Sequence, residues 1–296
     1  MGVYFDRTNW QEDFIIALET TVLLDGLVFG ECPRWHDEKL WFSDMHAHRV
    51  MTVDLTGKTE TVVEVPGRPS GLGWLPDGRL LVVSMTDRRL LRLDPEGLTE
   101  VADLSEFSSC YCNDMVVDRH GRAYIGDFGF DLYAGQPFAT TKIVLVSPEG
   151  DVCVVAEEMA FPNGSVITPD EHTLIVAESY GSRLTAFDIE PGGLLTGRRV
   201  WAQLEHTVPD GICLDADGAI WVASPTGAEV LRVREGGKVT HRIKISTQPY
   251  ACMLGGPERR TLFILSAETY NPNEARAKAS GRIEIVEVNV PSAGLP

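Results

Sequence analysis

The chain is poor in positive charge and has no unbroken apolar run long enough to span a bilayer. Its 296 residues carry 26 Lys and Arg against 43 Asp and Glu, a formal charge of -17 at pH 7. Such a surface repels a phosphate backbone and an anionic membrane face, so neither nucleic acid nor membrane is an expected partner. The apolar stretch from Phe14 to Leu24 is broken by Glu19, and the opening MGVYFDRTNWQEDF has no basic segment followed by an apolar one. No membrane span or secretory leader is expected, which makes the cytoplasm the expected compartment. Cysteine is sparse and scattered, at Cys32, Cys110, Cys112, Cys153, Cys213 and Cys252, with no Cys-x-x-Cys pair. That spacing excludes a disulfide framework and favours reduced, buried thiols. Also missing are a Gly-x-Ser-x-Gly elbow, a His-Glu-x-x-His pair and a Walker phosphate loop. Serine-esterase, zincin and nucleotide-hydrolase chemistry therefore have no motif in the chain.

What the chain has is repetition. An apolar run, a turn carrying Asp-Gly or a polar substitute, and a strand-like run recur six times, as in LGWLPDGRLLVVSM from Leu72, MVVDRHGRAYIGDF from Met115 and ICLDADGAIWVAS from Ile212. Each copy leads into another strand-like segment ending in a turn, and most into a fourth. No long segment keeps a helical period, whereas Val, Ile, Leu, Phe and Trp alternate between Gly, Pro, Asp and Asn breaks. LDADGAIW has the look of a calcium loop but lacks the later ligands and recurs as a blade turn.

A slot just before each first strand is filled by Glu31, Ser70, Asn113, Asn163, Asp210 and Tyr250, at spacings of 39, 43, 50, 47 and 40 residues. Repeats of this length with four strands apiece are propeller blades, which bury their faces only by stacking on one another. The expected fold is all-β, a six-bladed β-propeller with four antiparallel strands per blade. It forms a single domain over residues 1–296, with residues 1–20 an N-terminal extension on the outside. The run TTVLLD before Glu31 is expected to close the ring by supplying a strand to the last blade, since an open ring leaves edges unpaired.

In a propeller the innermost strand starts beside the central channel, so the six slot residues should ring one mouth. Every occupant carries oxygen, and four are carboxylates or amides, a donor set that suits hard or borderline divalent cations. Asn163 illustrates the gain from alignment. Alone, FPNGSV reads as an Asn-Gly hairpin turn or a glycosylation sequon; aligned, Asn163 is one member of a ring.

The motifs GECPRW, CYCNDMVVD, FPNGSVITPD and VPDGICLDADGAIWVA together make the chain, from about Leu23 to Val288, resemble the regucalcin, gluconolactonase and luciferin-regenerating-enzyme-like family. The resemblance implies a metal-dependent six-bladed propeller that hydrolyses lactones. It implies one divalent cation (Ca, Zn, Mn, Mg or Fe) held by Glu31, Asn163 and Asp210, with Asp210 also the catalytic base and Asn113 contacting a small lactone or ester substrate. Sugar-lactone hydrolases of this family often carry Arg where Tyr111 stands. An aromatic face in place of a fork of donors argues for a less hydroxylated substrate.

Tyr111, Phe128 and Tyr250 join Asn113 as candidate substrate contacts. A second set of loops, including Asp44 to His48, Met85-Thr86, Asp127 to Phe130, Ser179-Tyr180, Ser224-Pro225 and Glu268 to Tyr270, is expected over the same mouth. In it His46 and His48 read as solvated, Phe130 as rim packing, and the insertion GFDLYAGQPFATTK as either part of a lid or an ordinary loop. Hydrolysis of organophosphates or other esters, or non-catalytic metal or ligand binding, stand as alternative functions.

Overall fold

The computed structural model describes residues 18–296, so most of the expected N-terminal extension lies outside the described residues. Six four-stranded antiparallel sheets follow one another along the chain, with sequential strand order in each of the first five. The sixth combines Gln248–Gly255, Thr261–Ala267 and Gly281–Glu287 with Thr21–Leu27 as its outermost strand. Thr21 pairs with Ile285 and Leu27 with Gly281, so the start of the chain closes the ring as expected.

Burial follows from this stacking. The innermost strands Cys112–Val117 and Pro162–Ile167 are buried along their whole length, whereas the outer strand Thr59–Glu64 is largely exposed. The apolar cores lie between blades: Val166 and Ile175 of the fourth pack with Ile212 and Ile220 of the fifth. Leu81 and Val83 of the second blade pack in the same way with Met115 and Ile125 of the third.

The recurring Asp has a turn-building role. Asp118 Oδ1 accepts from the His120 and Arg122 N–H groups at 2.9 Å each, and Asp215 Oδ1 accepts from Asp217 and Ala219 at 3.0 and 3.1 Å. An aspartate side chain thereby replaces the backbone partners that a tight reversal leaves unpaired, and LDADGAIW is a blade turn. All six cysteines are free. Cys153 departs from the expected burial because its strand, Val152–Met159, is the outermost of the third blade.

FPNGSV is not a hairpin: its Asn-Gly pair sits inside the strand Pro162–Ile167. The need for glycine there is steric. A Cβ on Gly164 would stand 2.5 Å from the Ile212 amide nitrogen of the next inner strand, and one on Gly71 would stand 2.5 Å from the Met115 nitrogen. At these two positions the adjacent inner strand approaches too closely for a side chain. Inner strands also carry register shifts at the slot, between Glu31 and Arg34, Cys112 and Met115, and Pro162 and Ser165. Bulges of this kind re-aim a side chain out of the pleat.

Below the slot, Arg34 ties three blades together. Its guanidinium donates to the Leu72 carbonyl at 3.0 Å, to Asp114 Oδ1 at 2.7 Å and to the Met115 carbonyl. Both partners of the Arg34–Asp114 pair are buried. At the other end of the inner strands, Leu295 bonds in both directions with Ile167, and Ala293 N–H donates to Leu214. The C-terminal segment so covers the end of the channel opposite the slot. No helix among the described residues is long and apolar enough to cross a membrane.

Removing one member of a buried ion pair strands the other's charge, at a cost of about 3–5 kcal/mol. Urea unfolding of Arg34→Met is expected to show a loss of that size, and Arg34→Met/Asp114→Leu should recover part of it. An Arg34→Met protein as stable as the wild type would contradict the role given to this pair.

Candidate functional site

Five of the six slot residues line one cavity of about 650 Å³ at the mouth of the channel: Glu31, Asn113, Asn163, Asp210 and Tyr250. Ser70 does not. It is buried in the second blade with its hydroxyl 3.7 Å from the Cys32 thiol.

The neighbouring backbone is bent to present these groups. Cys32, directly after Glu31, holds φ 49° and Phe161, two residues before Asn163, holds φ 62°. Left-handed conformations are uncommon for such residues and tend to collect at functional sites. Inter-blade hydrogen bonds then fix the side chains. Asn113 Nδ2 donates to the Pro162 carbonyl at 3.0 Å, Asn163 Nδ2 to Ser179 Oγ at 3.3 Å, and Ser179 Oγ to the Pro209 carbonyl at 2.7 Å. The third, fourth and fifth blades are thereby latched in sequence. Asn113 keeps an amide oxygen and one N–H for a ligand.

Charge is concentrated at the floor. Burial, then the charges of Asp210 and Asp114, hold the Glu31 carboxyl well above the usual carboxylate range, although the Cys32 N–H and Arg34 oppose this. Asp210 is pushed up to about 8, mainly by burial and then by Asp114, against the pull of Asn163 and the Gly211 N–H. Its Oδ1 is buried and has no hydrogen-bond partner. Orphaned buried oxygens are rare and ask for a ligand, water or ion. Two carboxyls and one amide, with no thiol or imidazole, form a donor set that fits a hard divalent cation. Among the described residues there is no group of three or more His, Cys, Asp or Glu placed to hold a metal; the axial set has only two acids, and its third oxygen is an amide.

The second set of loops does face the same mouth. Met45, Phe128, Ser179, Tyr180, Pro225 and Tyr270 line the cavity, while Met85 and Thr86 of the second blade do not. Tyr111 does not line it either. Its ring packs 5.7 Å from Phe128 and 5.6 Å from Tyr133, both of which do, and its hydroxyl donates to Asp131 at 3.2 Å. Phe130 packs beneath Tyr180 at 5.1 Å, the rim role expected of it.

The insertion in the third blade brings Leu132 and Tyr133 to the cavity wall. Tyr133 reaches towards the second blade, with the Arg68 guanidinium 5.9 Å from its ring centroid. Tyr133 was not foreseen as a lining residue, and the only signal for it was the excess length of that loop.

His46 is not solvated as expected. It is fully buried, stacked on Phe29 at 4.8 Å, with Nε2 3.1 Å from the Tyr270 carbonyl and Nδ1 unpartnered. Burial lowers its pKa to about 4, which makes it a neutral imidazole donating through Nε2 to the sixth-blade loop. His48 is also engaged, with Nδ1 2.8 Å from the Pro66 carbonyl.

Fold and cavity together define a six-bladed propeller with a pocket at one mouth that has acid and amide oxygens at its floor and largely aromatic walls. The family described as SMP-30/Gluconolactonase/LRE-like region matches residues 29–268, and the chain belongs to it. It is 28% identical over 264 residues to a regucalcin from Danio rerio, covering 84% of this chain and 86% of that one. It is 28% identical over 255 residues to a pentonolactonase from Haloferax volcanii, covering 84% of each. Among solved structures, a regucalcin from Agrobacterium tumefaciens described as a calcium-binding protein superposes with a TM-score of 0.80 at 22% identity, over 95% of this chain and 97% of that one.

A carboxyl whose folded pKa is raised keeps a proton that the unfolded chain has lost. Its contribution to stability is therefore present below the ordinary value of 3.8 and disappears as pH rises through about 8. With a chelator present, the melting temperature of the wild type should fall relative to that of Asp210→Asn across this window. Parallel pH profiles for the two proteins would contradict the burial of Asp210 as a neutral acid.

Proposed function

We propose that the protein is a divalent-cation-dependent hydrolase that opens a small lactone at the floor of the cavity. The observation that carries this reading is the buried, unpartnered Asp210 Oδ1 beside the Glu31 carboxyl and the Asn163 amide. Membership of the gluconolactonase family and the kinship with a pentonolactonase support lactone chemistry. The structural relative described as calcium-binding is consistent with an oxygen-ligated cation.

Glu31, Asn163 and Asp210 are the residues that would hold the cation, which is one of Ca, Zn, Mn, Mg or Fe. When bound, a dication supplies polarisation of the ester carbonyl, stabilisation of the developing oxyanion, and a counter-charge that favours both carboxylates. The remaining work falls to side chains. Ionised Asp210 takes a proton from water as the water oxygen bonds to the acyl carbon. That proton then passes to the ring oxygen as the acyl C–O bond breaks, and the product is an open hydroxy acid. Asn113 uses its remaining amide groups to orient the substrate. Phe128 and Tyr250 form walls that keep bulk water from the reacting ester, with the Tyr250 hydroxyl already engaged with Gln248 Oε1 at 2.6 Å.

A panel of lactones and simple esters, assayed on stripped protein with each of the five cations added back, tests this reading. Turnover of lactones is expected only with a cation. General-base loss in Asp210→Asn should lower kcat by about 10²- to 10⁴-fold with an unchanged circular dichroism spectrum. Near-wild-type turnover by cation-loaded Asp210→Asn would remove it as the base. Cation binding with no hydrolysis of any panel member would favour a binding propeller instead.

A further inference from the structure

On the lactonase reading, we infer that the substrate is an uncharged lactone bearing an apolar substituent, not a polyhydroxylated or anionic one, and that Tyr133 is a specificity-determining residue. Among the described residues no Arg, Lys or His lines the cavity, and its floor already carries two carboxyls. An anionic substituent would find no counter-charge. Arg68, on the second-blade side, lies against the Tyr133 ring at 5.9 Å and is not part of the lining.

A polyol fares no better. Several of the polar lining groups are already spent on fixed partners. Ser179 donates to the Pro209 carbonyl and accepts from Asn163, and Tyr250 donates to Gln248. Beyond what Asn113 offers, the several hydroxyls of a sugar lactone would compete with these settled pairs, and sites that cannot satisfy every buried hydroxyl disfavour it.

The walls instead offer carbon. Phe29, Phe128, Phe161, Leu132 and Tyr133 line the pocket, and Phe128 and Phe161 lie 4.5 Å apart as one face. Burial pushes the Tyr133 hydroxyl pKa up, so this residue presents a neutral ring. At the rim, Phe138 and Tyr180 stack at 5.3 Å and continue the wall outward although each is nearly half exposed, at 46% and 49%. A volume of about 650 Å³ falls within the range for drug-sized ligands, roughly 300–1,000 Å³, and leaves room beyond a bare lactone ring. Selectivity against hydroxyls therefore rests on Tyr133 and its neighbours, since Tyr111 stands behind them.

Three lactones with the same six-membered ring separate the possibilities: δ-valerolactone, its pentyl derivative δ-decalactone, and glucono-δ-lactone. With cation-loaded protein, kcat/KM for δ-decalactone should exceed that for glucono-δ-lactone by about 100-fold, the scale on which a pocket discriminates by apolar fit and unpaired polar groups. Tyr133→Ser should lower the δ-decalactone to δ-valerolactone ratio about tenfold, and the rim variant Tyr180→Ser should lower it in the same direction if Tyr133→Ser fails to fold. Glucono-δ-lactone turned over as well as δ-decalactone would overturn the inference.

Silence on all three lactones would instead count against the lactonase reading, and calorimetry with unreactive lactams then decides selectivity by itself. Tighter binding of the pentyl lactam than of gluconolactam upholds the apolar pocket. The reverse order, or no binding of the pentyl lactam, overturns it.

Discussion

The inner strands of neighbouring blades run so close that a single methyl group at Gly164 would collide with the backbone of the next blade. This proximity governs the rest of the architecture. With glycine at the tightest contacts, in the second, fourth and fifth blades, the strand starts converge on the axis and carry their slot residues into one small volume. Bulges at the slots and left-handed turns at Cys32 and Phe161 then swing those side chains towards the mouth. Arg34, bonded to the inner strands of the second and third blades, pins the convergence from below.

Convergence has an electrostatic consequence. Glu31 and Asp210 come from the first and fifth blades and meet where water is scarce, with Asp114 adding a further negative charge nearby. The Arg34 guanidinium eases Glu31, but it is already paired with Asp114. The metal-free floor is therefore a place where acids are driven to keep their protons. Such stored electrostatic cost is typical of sites built for a ligand rather than for stability. The apolar wall above the floor strengthens it by lowering the local dielectric.

The blade count, the closing strand and the ring of oxygen-bearing side chains were legible because each follows from a repeated pattern. Asp turns recur at a fixed offset, and the slot residue precedes every inner strand. Single-copy features were harder to read. Ser70 occupies the slot by sequence but faces Cys32 instead of the cavity, which no strand residue of the second blade lines. His46 reads as a polar loop residue, yet the neighbouring ring of Phe29 and the Tyr270 carbonyl bury it, and both partners come from distant sequence or another blade. Tyr111 sits one position from the inner strand that presents Asn113, but the longer third-blade loop places Tyr133 in front of it. Local pattern reports which strand a residue belongs to. It does not report which of two aromatic rings stands nearer to the axis.

Glu31 and Asp210 as cation ligands form the centre of this account, and their protonation offers a direct measurement. Glu31 and Asp210 bind a cation as carboxylates, so binding near neutral pH must expel the protons that burial retains. Calorimetric titration of calcium and of manganese at pH 7, repeated in buffers of different ionisation enthalpy, gives the protons released per cation bound. The account predicts one cation per chain with release of about one to two protons, and weaker binding with fewer protons released in Asp210→Asn. Tight binding with no proton release, or binding undiminished in Asp210→Asn and in Glu31→Gln, would contradict it.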